Sequence, residues 1–554
     1  MKAILKALFL VLKKEFVYLF IIALFTLLSS RALFHSGFFR TIDDVTTVRI
    51  MEMALELKQS NWLNNFPVRW SSDLSHQFGY PLFLFYSSLT YYAGAFITII
   101  TKVSNIGATK IVYVFPLLSG PFIFYFCARQ KLRPFPSLVA TVLYTLFPYR
   151  GYDTYIRGAA GEAWAMMFLP GIFAGIFLME KNKKNGGALF SLFLALLIIS
   201  HNLVAVLSFA LIACYGLFFH LKNKKYWLYL LLGLGLSAFY WIPSIFYLNV
   251  IKVSSVNTNS GNIVNFLNPF TDILTIGFPY DPEKKLSGMF TYLLILVTAT
   301  IMWRHRSKEP NKLKFNLFWP LSGLFILLIL TLPFRWFWEL TLPISRMFQY
   351  PWRILSILSL ILPLSAGFWI SMLQNRFLRL TLSLLIVAFF LTFLPTFKPR
   401  EYSYYYEYTV NDSATCATTT WDDEYLPIWV KKCPTGFAPV PIETSLTSKL
   451  DILDAKPLDM KARVQTDTEN ELIVNKYYFP GWGIFVDGKS QPLIYDYSEF
   501  GIFKTHLTAG SHDVNVKFSK TWIMWFADIL SVSSLAIGLS ILVKNRLHQN
   551  KKSA

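Results

Sequence analysis

Charge is scarce in this chain, and acid is scarcest: 15% of its 554 residues are charged, with 32 Asp and Glu against 52 Lys and Arg. A soluble globular domain carries about 25%, so a fold solvated on all sides is excluded. Cysteine is scarce too, at four residues, with no C-x-x-C pair and no His-rich tract. That excludes a structural zinc site of the familiar spacings. Internal repeats and low-complexity tracts are missing. Without matching halves, and with its polar clusters gathered at one side, the chain does not read as a secondary transporter. No A-x-A cleavage site follows the first apolar segment, so that segment is expected to remain as an anchor.

Apolar and aromatic residues are abundant, at 54% and 17%. Runs of about 20 apolar residues read as transmembrane helices, and the aromatic excess suits the belts where a bilayer meets water. A net charge of +20 would fit nucleic acid if it formed one patch. Instead the positive charge sits in short connectors at 129–133, 181–184, 222–225 and 304–314 and in the tail from 544. Cytoplasmic loops of a polytopic protein look like this. With those connectors inside, the stretches 35–80, 149–162, 248–288 and 396–520 fall outside.

The expected fold is an all-α polytopic membrane protein of about 12–13 transmembrane segments, with an extracytoplasmic β-rich domain before the last helix. Its parts are a helical domain 1–395 with first outer loop 35–80, the β-rich block 396–520, and a final helix with basic tail 521–554. Parity demands an odd number of crossings between 81 and 127, where two apolar segments occur. The segment 81–101 is therefore expected to be re-entrant or juxtamembrane in part. In the β-rich block, Trp482, Ile484 and Val486 alternate with smaller residues ahead of Asp487-Gly488, a hairpin signature. The run 505–518 reads as a second hairpin around Gly510, and the two together suggest a small sandwich. Cys127 and Cys214 read as packing residues. Cys416 and Cys433, in the outer block, either form a disulfide or remain two thiols.

Five clusters carry chemistry, each with a plain structural alternative. Asp43-Asp44 opens the first outer loop; one acid would cap the helix that follows, while two offer a general base beside a second carboxylate. Arg69, Trp70 and the aromatic string containing Tyr86 are either interfacial anchors or substrate contacts. Asp153, Arg157 and Glu162 share the second outer loop, as an internal ion pair or as a site. His201-Asn202 interrupts an apolar stretch as a helix cap or a contact. Arg346, Gln349 and Arg353 enter a helix from outside, where guanidinium groups hold either a salt bridge or a phosphate.

The strings D-D-x-x-x-x-R-I, F-P-V-R-W, F-G-Y-P-L-F-L-F-Y, Y-x-R-G-A-A-G-E, S-H-N and F-Q-Y-P-W-R resemble a family of bacterial polytopic proteins labelled 6-pyruvoyl-tetrahydropterin synthase-related, a label that implies no pterin chemistry. The segment Y-Y-F-P-G-W-G-I-F-V-D-G-K is similar to the outer domain of YfhO-like proteins. The family is similar to GT-C glycosyltransferases, which use polyprenyl-phosphate sugars. Relatives often carry His-Asp where this chain has Asp43-Asp44. The resemblance implies a plasma-membrane glycosyltransferase with its active site on the extracytoplasmic side and an envelope glycan, lipid or protein as acceptor. Asp44 would be the base, beside Asp43, and Asp153 or Glu162 the second acid. No cofactor is certain, and some GT-C enzymes take a divalent cation while others do not. The other reading is a membrane protein that binds or flips a lipid-linked glycan without chemistry.

Overall fold

The computed structural model describes the chain except residues 1, 43–44, 60–65, 254–262, 276–287, 305–309, 342–349, 404–415, 421–422, 439 and 554, and the side chains of 2–14, 310 and 546–553. Among the described residues eight helices are long and apolar enough to cross a membrane, or nine if the pair Lys224–Leu236 and Ala238–Phe246, bent by 71°, counts as one span. Three shorter apolar helices, Leu89–Thr101, Gly186–Ser200 and Gly288–Arg304, accompany them. The nine spans and these three shorter helices together make twelve apolar segments among the described residues, in keeping with the expected all-α polytopic fold. Residues 81–101 divide into Leu82–Phe85 and Leu89–Thr101, two pieces that are each too short to span.

The helices are arranged by burial. Ala160–Glu180 and Pro351–Met372 have 89% of their apolar window buried, whereas Arg376–Thr396 and Trp522–Asn545 have 17%. The first two form the centre of the bundle, and the last two turn most of their apolar surface outward, as lipid permits. Prolines inside the spans, such as Pro116, Pro121 and Pro170, are tolerated because neighbouring helices re-satisfy the freed carbonyls. Pro116 illustrates this: it leaves the Val112 carbonyl without its helical donor, and Trp164 Nε1 donates to that carbonyl at 2.8 Å.

A two-stranded ribbon joins the first loop to the start of the β-rich block, pairing β1 (Phe38–Phe39) with β2 (Tyr402–Ser403). The remaining strands are β3 (Ile442–Thr444), β4 (Lys449–Lys456), β5 (Asp459–Thr466), β6 (Asn470–Tyr477), β7 (Trp482–Val486), β8 (Lys489–Gln491), β9 (Ile502–Leu507) and β10 (Gly510–Phe518). They form a five-stranded sheet, β4-β5-β10-β7-β8, and a three-stranded sheet, β3-β6-β9. The β7–β8 hairpin is as the sequence predicts: Asp487 and Gly488 both have positive φ, 50° and 78°, as a type I′ turn requires.

The second expected hairpin is not formed. β9 pairs with β6 and β10 lies between β5 and β7, so the chain changes sheets at residues 508–509. Thr508-Ala509 lacks the Asn/Asp-Gly chemistry of a two-residue hairpin turn. Each strand instead offers alternate apolar residues to the core from its own sheet, Phe503 and Leu507 from β9, Val514, Val516 and Phe518 from β10. Cys416 and Cys433 are joined as a disulfide, closing the loop that carries Thr418, Thr419 and Asp423.

Candidate functional site

The loop at 149–162 supplies the most concentrated buried charge. Pro148 starts a short helix, Pro148–Tyr152, which runs into a π-helical turn, Asp153–Arg157. Such widened turns recur at functional sites. Gly158 ends the turn with φ +76°, and a Cβ there would strike the Thr41 side chain. The backbone therefore both needs the left-handed conformation and touches the first loop. Beyond it, Glu162 lies in the first turn of Ala160–Glu180, where the helix dipole favours negative charge.

These turns converge on Arg157. Its Nη1 donates to Asp153 Oδ1 at 3.0 Å and to Glu162 Oε2 at 2.9 Å. The Tyr149 hydroxyl donates to Glu162 Oε1 at 2.7 Å and accepts from Arg157 at 3.3 Å. Both carboxylates are fully buried. Buried charges survive only when paired and hydrogen-bonded, and here one guanidinium serves two acids.

His201 and Arg353 approach the same cluster from two other elements, close enough to interact electrostatically with Glu162. His201 caps Asn202–Phe219, its Nδ1 accepting the Val204 N–H at 3.2 Å. That bond assigns the ring proton to Nε2. Asn202 Oδ1 accepts the N–H of Leu203 at 2.8 Å. Arg353 precedes Leu355–Met372 in a 3-10 turn, with its guanidinium 5.7 Å from the centre of the Tyr350 ring.

The first loop is anchored to this place on both sides of the acid pair. The Ile42 N–H donates to Ile156 O at 2.9 Å. Thr46 Oγ1 lies 3.0 Å from the Tyr113 hydroxyl, which donates to Gly158 O at 2.6 Å. Asp43 and Asp44 themselves lie outside the described residues, as do Arg346 and Gln349.

Arg69, Trp70 and Tyr86 have partners elsewhere. Arg69 Nη2 donates to Asp528 Oδ1 of the last helix at 2.6 Å, and Lys520 meets the other oxygen of Asp528 at 2.8 Å. Trp70 is buried under the sandwich, 5.2 Å from Phe518 and 5.6 Å from Trp482 between ring centres. Tyr86 lies under the Arg49 guanidinium, 3.9 Å from its carbon. Arg49 in turn donates to the Tyr91 hydroxyl and to both oxygens of Thr419. These three residues thus tie the first loop to the last helix, the sandwich and the disulfide loop.

A second buried charge cluster was not singled out from sequence. Glu52 and Glu56, one helical turn apart on Thr46–Gln59, face Lys476 of β6. Glu52 Oε1 accepts from Ser71 Oγ at 2.8 Å and from the Asp73 N–H at 2.9 Å, and Glu56 Oε1 from the Ser72 N–H at 2.9 Å. Lys476 Nζ donates to Gln77 O at 2.6 Å. Burial, then the charge of Glu52, pushes the Glu56 carboxyl up to about 8, and burial pulls Lys476 down to about 8. Burial raises Glu52 as well. The spacing of Arg49, Glu52 and Glu56 was a readable signal, since residues three and four apart share a helix face. Lys476 had no local signal.

The one metal-compatible grouping among the described residues is Cys416, Asp423 and Cys433. Its two sulfurs are bonded to each other, and Asp423 accepts from the Cys416 N–H and the Thr418 hydroxyl. It is a structural knot.

A family model for the 6-pyruvoyl-tetrahydropterin synthase related domain, a membrane protein, matches residues 83–398, more than half of the chain. The chain belongs to this family. The region shared with the 6-pyruvoyl-tetrahydropterin synthase-related proteins holds the Arg157 cluster, His201 and Arg353, while the acid pair of the first loop and the sandwich lie beyond it. Two solved structures of the arabinofuranosyltransferase AftD from mycobacteria are similar to this chain, one at 15% identity and one at 16%, both with TM-score 0.45 over 73% of this chain. The chain spans 29% and 28% of those proteins' lengths, and likeness at that level carries no argument about mechanism. No curated protein matches the chain.

Proposed function

We propose that this multi-pass membrane protein is a glycosyltransferase that moves a sugar from a polyprenyl-phosphate donor to an envelope glycan, lipid or protein on the outer face of the plasma membrane. The observation that carries the reading is the Asp153–Arg157–Glu162–Tyr149 cluster at one end of the bundle, with His201 and Arg353 beside it. Anchoring of the first loop to the same turn through Ile42 and Thr46 supports it.

In this reading Arg157 is committed to two carboxylates and positions them. Arg353, with Arg346 and Gln349 of the same segment, takes the donor phosphate, for which a guanidinium is well shaped. The acceptor hydroxyl gives its proton to Asp44, with Asp43 beside it, and its oxygen bonds to the anomeric carbon. The bond from that carbon to the phosphate oxygen breaks, and polyprenyl phosphate leaves carrying the electron pair. Arg353 stabilises the charge that develops on it. Direct displacement inverts the anomeric centre.

The test is sugar transfer in proteoliposomes with radiolabelled polyprenyl-phosphate sugars and a panel of envelope acceptors. Wild type should transfer, and Asp44→Asn should fail to transfer while still binding the lipid. Lipid binding by both proteins with transfer by neither, across the panel, would assign the chain to binding or flipping of a lipid-linked glycan.

A further inference from the structure

A second site lies at the other end of the bundle. Glu162 is in the first turn of Ala160–Glu180 and Lys183 follows its last turn, which separates them by about 30 Å at 1.5 Å per residue. There the helices Asn105–Arg129, Ala160–Glu180, Gly186–Ser200, Lys224–Leu236 and Trp522–Asn545 enclose a groove of about 690 Å³. Leu178, Leu192, Leu232, Leu535 and Leu539 line it, and Gly538 also faces it. Leu192, Leu535 and Leu539 are about half exposed, so the groove opens sideways to the surrounding lipid.

Its mouth is cationic. Lys183, Lys184 and Asn185 line that end, and all three are exposed. Two hydrogen bonds join the rims: Asn545 Nδ2 donates to Lys184 O at 3.2 Å, and Lys184 Nζ to Asn545 O at 3.4 Å. The nearby acid, Glu180, is already taken by Lys131 at 2.6 Å and His220 at 2.8 Å. Among the described residues neither Lys183 nor Lys184 pairs with a carboxylate. No residue from 529 to 554 is acidic, and that stretch carries Lys544, Arg546, Lys551 and Lys552. The Gly186–Ser200 helix adds the positive end of its dipole at the same mouth.

We propose that this groove binds an anionic glycerophospholipid, with one acyl chain along Leu232, Leu535 and Leu539 and the headgroup phosphate on Lys183 and Lys184. A zwitterionic headgroup would bring its own ammonium to the same lysines and is disfavoured. The proposal is independent of what the Arg157 cluster does.

Native mass spectrometry of the full chain in mild detergent tests it, with phosphatidylglycerol and phosphatidylcholine of identical acyl chains as probes. Wild type should retain phosphatidylglycerol and lose phosphatidylcholine. K183Q/K184Q should lose about 30-fold of that preference, the effect of two lysines on an anionic lipid. A Cβ at Gly538 meets only Leu232, at 3.7 Å, so Gly538→Trp projects into the groove and should reduce retention with both lysines intact. Equal retention of the two lipids by wild type, or an undiminished preference in K183Q/K184Q, overturns the headgroup site. Full retention in Gly538→Trp overturns the acyl-chain position. The lysine substitutions are on exposed side chains, and an unchanged melting temperature in phosphatidylcholine confirms folding.

Discussion

Two regions of this molecule each bury a pair of acids near a basic side chain and handle them differently. At Asp153, Arg157 and Glu162 the charges meet at 2.9–3.0 Å, so the carboxylates are held by a full counter-charge. At Glu52, Glu56 and Lys476 the acids accept instead from Ser71, Ser72 and Asp73, and the lysine donates to a backbone carbonyl. There burial is accommodated by protonation, with Glu56 near 8. Arginine cannot give up its proton, so a site built on it keeps its charge, whereas lysine and glutamate adjust. The first arrangement suits a fixed electrostatic site, and the second suits a joint between the first loop and the sandwich.

The contrast breaks most visibly at Arg157. Arg157→Met strands two buried carboxylates and should cost about 3–5 kcal/mol, read as a large fall in melting temperature in detergent. Next, Glu162→Gln keeps an acceptor for Tyr149 but removes one charge opposite Arg157. Transfer in proteoliposomes should fall by about 100-fold, while Glu52→Gln leaves it unchanged; equal losses in both would erase the distinction.

Acidity sharpens the comparison further. The folded pKa of Glu56 is raised from 4.5 to about 8, so its stabilising contribution is complete below about 4.5 and is lost as pH rises through about 8. Wild type should therefore melt at progressively lower temperature over that window, and Glu56→Gln should flatten the profile. Lys476 has the opposite sign. Its depressed value of about 8 makes its contribution complete above its ordinary 10.5 and lost as pH falls through about 8. The smallest effect is expected for Lys476→Met at neutral pH, under about 1 kcal/mol, because a protonated Glu56 needs no counter-charge. A loss as large as that of Arg157→Met would mean that Glu56 is ionised.

What was legible depended on how local the determining interaction is. The β7–β8 turn could be read because Asp487-Gly488 fixes its own backbone, and the Arg157 cluster because its three charges lie within ten residues of one another on a loop bordered by apolar segments. The partner of Arg69 could not be read, since Asp528 lies in the final helix, nor could that of Glu56 on β6. The run 505–518 reads as two strands, but their pairing lies beyond local sequence, because the choice between a hairpin and a sheet change rests on β5, β6 and β7.

By itself, then, the sequence determined a multi-pass membrane protein with a β-rich block before its last helix and located its charged loops. Hydropathy, periodicity and turn chemistry act through neighbours in the chain. Only the tertiary structure decided which buried charges face each other, because a charge removed from water takes its partner from whatever packing brings within 3 Å, however distant in sequence. It likewise decided that a lysine-rimmed groove stands at the end of the bundle opposite the Arg157 cluster, since that groove exists only where five helices meet.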